Sequence, residues 1–285
     1  MTNPFAEAFM QHAFLAGTAT ALAAGLAGYF LVLRAQVFTG DALGHVAYTG
    51  ALGALAFGFS PAAGLLIATI ATACAMAGLG LRARPDDVVI GSTFAWVLGL
   101  GSFFLTLYTT RHSSGNSTAN VTYLFGSIFG LSAGQAELVA AIAIGACVVL
   151  VLIARPLLFA SVDEAVAAAR GVPVRVLGIA FLVVVGVICA ESAQSVGGLL
   201  LLGLVAAPAG AAHRLTTRPY LGMLLSAVIG IGSMWTGLLF SHYVPNVPPS
   251  FAILAAATLA YLLAAAPLRH ANSLNRRAGS PVSGV

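Results

Sequence analysis

Asp41 and His45 stand four residues apart in FTGDALGHVAYTG, residues 38–50. On a helix that spacing is one turn, so a carboxylate oxygen and an imidazole nitrogen project from one face, which Gly44 and Tyr48 share. Such a pair can contact one divalent cation but does not make a tight cage. A two-fold axis that brought up a second copy would complete four N/O ligands. Zinc, manganese and ferrous iron all suit that donor set, and without a thiolate the choice among them stays open. Because histidine must be neutral to ligate, metal passage should weaken as pH falls through the histidine titration range. The competing reading is structural: after the break at Gly40, Asp41 caps a helix and His45 bonds a backbone carbonyl. Against it, an ionisable group within a membrane span costs about 2.5–3.5 kcal/mol at the helix centre, less near an end, and marks a pathway.

The surroundings are what make a membrane span the relevant frame. Of 285 residues, 60% are hydrophobic and 7% charged, and the mean hydropathy is +1.00, beyond what a soluble domain can hide from water. Apolar runs of helical spanning length recur from end to end, unlike the short alternating strands of an outer-membrane barrel. The fold class is therefore all-α, a polytopic transmembrane helical bundle. No polar stretch is long enough to build a core or bind a nucleotide, so an energy-coupling domain must be a separate polypeptide. The net charge of +4 comes from twelve arginines and no lysine, placed at helix ends, where they fit membrane topology rather than nucleic acid. Cys74, Cys147 and Cys189 are isolated in apolar runs and read as small buried side chains, with no disulfide framework or Cys-x-x-Cys site. The N-terminal segment has no basic region before its apolar run and reads as a permanent span, not a cleaved signal.

Apolar windows predict nine spans, near 12–33, 42–59, 61–81, 88–108, 135–154, 174–190, 196–212, 221–240 and 251–266. With the N-terminus outside and the C-terminus cytoplasmic, eleven arginines collect on the inner face and only Arg111 lies outside. Inserting or deleting one span would scramble that split, so count and orientation support each other. Residues 1–268 form the membrane domain, and 269–285 form a polar cytoplasmic tail expected to be disordered. Residues 121–132 read as a loop or a short interfacial or re-entrant helix. Glycine pairs such as Gly25/Gly28, Gly50/Gly53 and Gly78/Gly80 predict close helix crossings, and Pro208 predicts a kink in the seventh span.

VLRAQVFTGDALGHVAYTGALG resembles the segment in which permeases of divalent-metal ABC importers, the zinc, manganese and iron uptake family, carry a Gly-Asp-Ala-Leu-Ser-His-Ala pattern. Gly44 stands where that pattern has serine. The likeness continues in YLFGSIFGLS (123–132), SVDEAVAAARGVPV (161–174), SVGGLLLLGLVAAPAGAAHRLTTR (195–218) and GLLFSHYVPNVPPSFAIL (237–254), in order along nearly the whole chain. The resemblance implies the membrane subunit of an importer in the bacterial inner membrane. It implies a homodimer, working with separate ATP-binding subunits and an extracytoplasmic metal-binding protein. It implies that Asp41 and His45 contact the metal in transit, with no resident cofactor and no enzymatic activity in this chain. It also implies that residues 159–172, a short amphipathic cytoplasmic helix with Asp163 and Glu164 at its start and Gly171 at its end, dock into a groove of the ATPase.

The runner-up is a proton-coupled secondary metal transporter in which Asp41 and His45 relay protons; it would have no need of the charged inner helix around Asp163. An intramembrane metalloenzyme is excluded for want of a His-Glu-x-x-His pair or a second aspartate deep in a span. The remaining ionisable residues read as ordinary: Glu191 as a solvated carboxylate at a helix end, Glu137 as a cap or interface group, His213 as a helix-end cation, and His112 and His242 as helix-end or loop residues on the outer side. Pro249 replaces the glycine commoner in the outer PNVPPS turn of the resembled family.

Overall fold

A computed structural model of the chain describes residues 7–80, 84–111, 126–195, 197, 201–244 and 246–278. Ten α-helices run through them in the order α1 (Ala8–Leu33), α2 (Val37–Ala56), α3 (Pro61–Leu79), α4 (Asp87–Arg111), α5 (Ala133–Val162), α6 (Glu164–Ala169), α7 (Val174–Ser195), α8 (Leu201–Leu215), α9 (Pro219–Tyr243) and α10 (Pro249–Ala278). A single 3₁₀ turn, Ile128–Gly130, precedes α5; it is what the described part of the 121–132 segment forms. Arg82, His112, residues 121–125 and the end of the tail after Ala278 lie outside the described residues.

Among the described residues seven helices are long and apolar enough to cross a membrane: α1, α3, α4, α5, α7, α9 and the Pro249–Ala266 part of α10. Each of the nine apolar windows falls on a helix, but α2 and α8 do not join that set. In α2 the stretch carries Asp41, His45 and four glycines, which dilute its hydropathy. α8 has 15 residues, a rise of about 22 Å against a hydrocarbon core of about 30 Å. α10 continues past the boundary expected at residue 268 and is helical to Ala278.

Sequence signals set several of the boundaries. Pro61 and Pro219 occupy first-turn positions, where the missing N–H is no loss. Ser132 opens α5 with a capping box completed by Gln135, so the cap assigned to Glu137 is made elsewhere and Glu137 is exposed. Between α1 and α2 the chain reverses in three residues. Ala35 takes a φ of 54°, and the Gln36 N–H returns to the Leu31 carbonyl at 2.8 Å, closing α1 as a left-handed cap does.

α1 and α7 form the centre of the bundle, with most of their residues enclosed, while α4 lies at the periphery. α1 packs on α5, α8 and α9; α2 is wedged among α3, α4, α7 and α8. At the α2/α3 crossing the two backbones meet through Gly50 and Gly64, each so placed that a Cβ would fall on the other's carbonyl oxygen. Gly78, by contrast, faces open space. Pro208 lies buried inside α8. Cys147 and Cys189 are buried, but Cys74 is exposed on the outer face of α3, since its neighbours Ala73, Met76 and Ala77 turn inward instead.

Contacts define the two ends. At one, Arg84 donates to the Arg34 carbonyl at 3.1 Å and Arg34 reaches Ser161, bringing together the α1/α2 turn, the entry to α4 and the α5/α6 junction. At the other, Arg111 donates to the Ala56 carbonyl and Phe9 packs edge-on against Phe129.

Candidate metal site

α2 begins at Val37, with Gln36 as its N-cap. Asp41 therefore sits in the second turn and does not cap the helix, because the compact three-residue turn lets helical geometry start earlier than Gly40 suggests. Ala42, Leu43, Gly44, Val46 and Ala47 are buried, whereas Phe38, Asp41, His45 and Tyr48 are wholly or partly open. Those four positions, at i, i+3, i+7 and i+10, make one stripe on the helix.

The stripe faces α4. Asp41 lines a cleft of ≈ 400 Å³ together with Phe38, Asp87, Ile90, Gly91 and Phe94. The His45 ring meets the Phe94 ring edge-on, with centroids 4.9 Å apart and an interplanar angle of 86°. Asp41 and His45 are near enough to interact electrostatically. Neither side chain forms a hydrogen bond to another described residue, so the carbonyl partner required by the purely structural reading of His45 is not there. One wall of the cleft is fixed where Thr49 donates to the Val97 carbonyl at 3.2 Å. Behind it, the Cys189 thiol of α7 donates to the Gly40 carbonyl at 3.5 Å.

Among the described residues no three His, Cys, Asp or Glu side chains cluster closely enough to hold a metal ion. Asp41 and His45 thus stand as a pair, without a third such group close enough to join them. Asp87 lines the same cleft as Asp41. Its presence there could not be read from sequence: the Asp86-Asp87 pair at a helix start looks like capping, and Asp86 does cap, accepting from the Val89 N–H at 2.9 Å.

Glu191 departs from its sequence reading. α7 extends to Ser195, which places Glu191 a turn inside the helix, 1% exposed. It accepts from the Thr20 hydroxyl of α1 at 2.5 Å and from Ser192 at 3.3 Å. Thr20 also lies 3.4 Å from the Ser195 hydroxyl. The partner on α1 is 171 residues distant in sequence, which is why spacing along the chain carried no signal. His213, partly buried at the end of α8, stacks on Tyr29 with centroids 4.3 Å apart, its Nε2 3.1 Å from the Tyr29 carbonyl oxygen. His242 lies 3.9 Å from Glu7.

The segment expected at 159–172 divides in two. Residues up to Val162 complete the long α5, and α6 follows after Asp163, whose Oδ1 accepts from the Val166 N–H at 2.9 Å. Gly171 ends the segment with a φ of +81°, a conformation that favours glycine. Glu164 turns inward, its Oε2 3.6 Å from Arg84 Nη1, while Val162 and Val166 are exposed. Arg34, buried beneath this junction, has its pKa pushed down to about 10, chiefly by burial and further by Arg84, with Glu164 opposing.

Comparison with known proteins fits this architecture. The chain is 27% identical over 252 residues to a manganese transport system membrane protein, MntC, of Halalkalibacterium halodurans, covering 88% of this chain and 85% of the relative. It is 29% identical to YfeC, a chelated iron transport system membrane protein of Yersinia pestis, over 82% of this chain and 77% of that one. The fold matches a chain of PsaBC from Streptococcus pneumoniae, solved in complex with Fab, with a TM-score of 0.76 at 23% identity, covering 90% and 91% of the two chains. Residues 6–267 match the ABC 3 transport family, and the chain belongs to that family as a multi-pass integral membrane protein.

Proposed function

We propose that this protein is the permease of an ATP-driven importer of divalent transition-metal ions, manganese, iron or zinc, in the bacterial inner membrane. The observation that carries the reading is the family match over residues 6–267. The transport systems named for its relatives, manganese and chelated iron, support the substrate class. In this reading the permease domain covers residues 1–268, α2 and α8 complete nine spans, and the arginine-rich end is cytoplasmic. Two copies pair so that Asp41 and His45 from each meet the ion. An extracytoplasmic binding protein delivers the cation, and a separate ATPase, docked on residues 159–172, drives alternating access. The exposed Val162 and Val166 offer the apolar part of that docking surface, with Asp163 and Gly171 defining the ends of α6 and Glu164 holding it to the bundle. No resident cofactor and no catalysis are assigned to this chain.

Chemically, the half-site suits transit. Two weak N/O ligands per chain bind an ion firmly enough to strip part of its water and loosely enough to release it. Family membership supports ATP coupling over proton-coupled secondary transport.

The test is uptake of radiolabelled manganese, iron and zinc in a strain lacking its other importers and expressing this permease with its ATPase and binding protein. Uptake of at least one of these ions is expected to depend on both partners. Uptake of none, or uptake that survives an ATPase-dead partner, would overturn the reading. In parallel, Val166→Asp should abolish co-purification of the ATPase; full retention would remove 159–172 as the docking surface.

A further inference from the structure

The α1/α2 turn and α6 are joined by a chain of polar contacts that the transport reading does not require. Glu164 Oε2 stands 3.6 Å from Arg84 Nη1. Arg84 Nη2 donates to the Arg34 carbonyl at 3.1 Å. Arg34 Nε donates to Gln36 Oε1 at 3.0 Å, and its Nη1 donates to Ser161 Oγ at 3.4 Å. The Arg34 guanidinium also lies 5.5 Å from the centroid of the Phe181 ring of α7. Arg34 is 4% exposed, so its side chain is held by α2, α5 and α7 at once.

The turn between α1 and α2 has no slack. Arg34, Ala35 and Gln36 are the whole connection, and Ala35 already occupies a left-handed conformation that a non-glycine residue adopts only when its surroundings enforce it. A displacement of the Arg34 carbonyl is therefore transmitted to Gln36, the N-cap of α2. From there Asp41 follows about 7.5 Å farther along the axis and His45 about 13.5 Å. On the other side, Glu164 and Ala167 form the inward face of α6, while Ala165, Val166, Ala168 and Ala169 remain exposed.

We propose that Glu164, Arg84 and Arg34 form a linkage that converts displacement of α6 into displacement of the start of α2, and so positions Asp41 and His45. The proposal rests on the docking role assigned to residues 159–172 and adds a route from that surface to the ligands. None of the three residues touches the ion; they act as positioning residues. The ion pair supplies stiffness between α6 and the turn, and the buried Arg34 side chain prevents the turn from moving independently of α2. Ion-pair and hydrogen-bond networks carry coupling between sites when they switch between two arrangements; in this proposal those are the Glu164–Arg84 pair engaged and broken.

The complete transporter, permease with its ATPase and binding protein in proteoliposomes, allows the test, with the ratio of manganese ions moved to ATP hydrolysed as the readout. Arg84→Gln should lower that ratio by at least about fivefold, the lower end of coupling between distant sites, while the ATPase still co-purifies. Arg84→Lys, which keeps a cationic donor able to serve both Glu164 and the Arg34 carbonyl, should retain most of the ratio. A purely structural brace would lower thermal stability and the amount of folded permease but leave the ratio unchanged, and an unchanged ratio in Arg84→Gln overturns the proposal. Loss of ATPase co-purification in Arg84→Gln also overturns it, making Arg84 part of the docking surface. Failure of Val166→Asp to disturb docking bears instead on where the ATPase binds.

Discussion

The Thr20 hydroxyl of α1 donates to the Glu191 carboxyl of α7 at the centre of the bundle, joining its two most enclosed helices. Ser192 donates to the same carboxyl, and Ser195 closes the group on Thr20. Glutamine at 191 retains an acceptor of the same shape, whereas alanine leaves buried hydroxyls without their partner and opens a cavity. Glu191→Ala should destabilise the detergent-solubilised protein by about 1–3 kcal/mol, with any unfilled volume adding to the loss. Glu191→Gln should remain close to the parent. Thermal unfolding in detergent separates the two, and equal losses would show that the hydrogen bonds contribute little.

Asp41 and His45 make no hydrogen bond to the described residues, so removing them should impair transport and spare the fold. Asp41→Ala and His45→Ala are each expected to reduce metal uptake at least about tenfold, since even loss of groups that merely orient metal ligands costs 10–100-fold. The folded yield should match the parent. Uptake at parental rates in either variant would remove that residue from the ion's path.

Asp87 adds a negative charge to the cleft that Asp41 lines. A carboxylate at a cleft wall attracts cations by its field without ligating them. Asp87→Asn should therefore slow uptake by up to about tenfold at low ionic strength, with the deficit shrinking as salt screens the charge. A deficit independent of salt would instead indicate direct contact.

The Gly50/Gly64 crossing sets how close α3 comes to the helix that carries both candidate ligands. A side chain at either position would meet backbone, which cannot rotate away. Gly50→Val and Gly64→Val are each expected to cost about 1–3 kcal/mol by overpacking and to reduce uptake as α2 shifts. Gly78→Ala, facing open space in α3, should be neutral or slightly stabilising, because alanine is the better helix former by about 1 kcal/mol. Thermal unfolding of the three variants side by side checks the order.

Much of the architecture was legible in the residues because membrane helices announce themselves locally. Twenty apolar residues form a span whatever they pack against, so each apolar window fell on a helix without reference to its neighbours. The same locality explains the Asp41/His45 pair: one helical turn places both on one stripe irrespective of the rest of the fold. The start of α2 was less legible, since Val37 begins the helix only because the Ala35 turn is so short, and that turn is stabilised by contacts from Arg84 and Ser161.

The all-helical membrane chain, the family motif and the two candidate ligands follow from composition or from neighbours within a few residues. That Glu191 is enclosed, that Asp87 shares the cleft with Asp41, that Cys74 faces outward and that Glu164 turns toward Arg84 emerges from the folded bundle. Those facts depend on which helix faces arrive opposite one another across long stretches of chain. An apolar helix with weakly distinguished faces does not encode that choice locally; close packing at small residues such as Gly50 and Gly64 makes it.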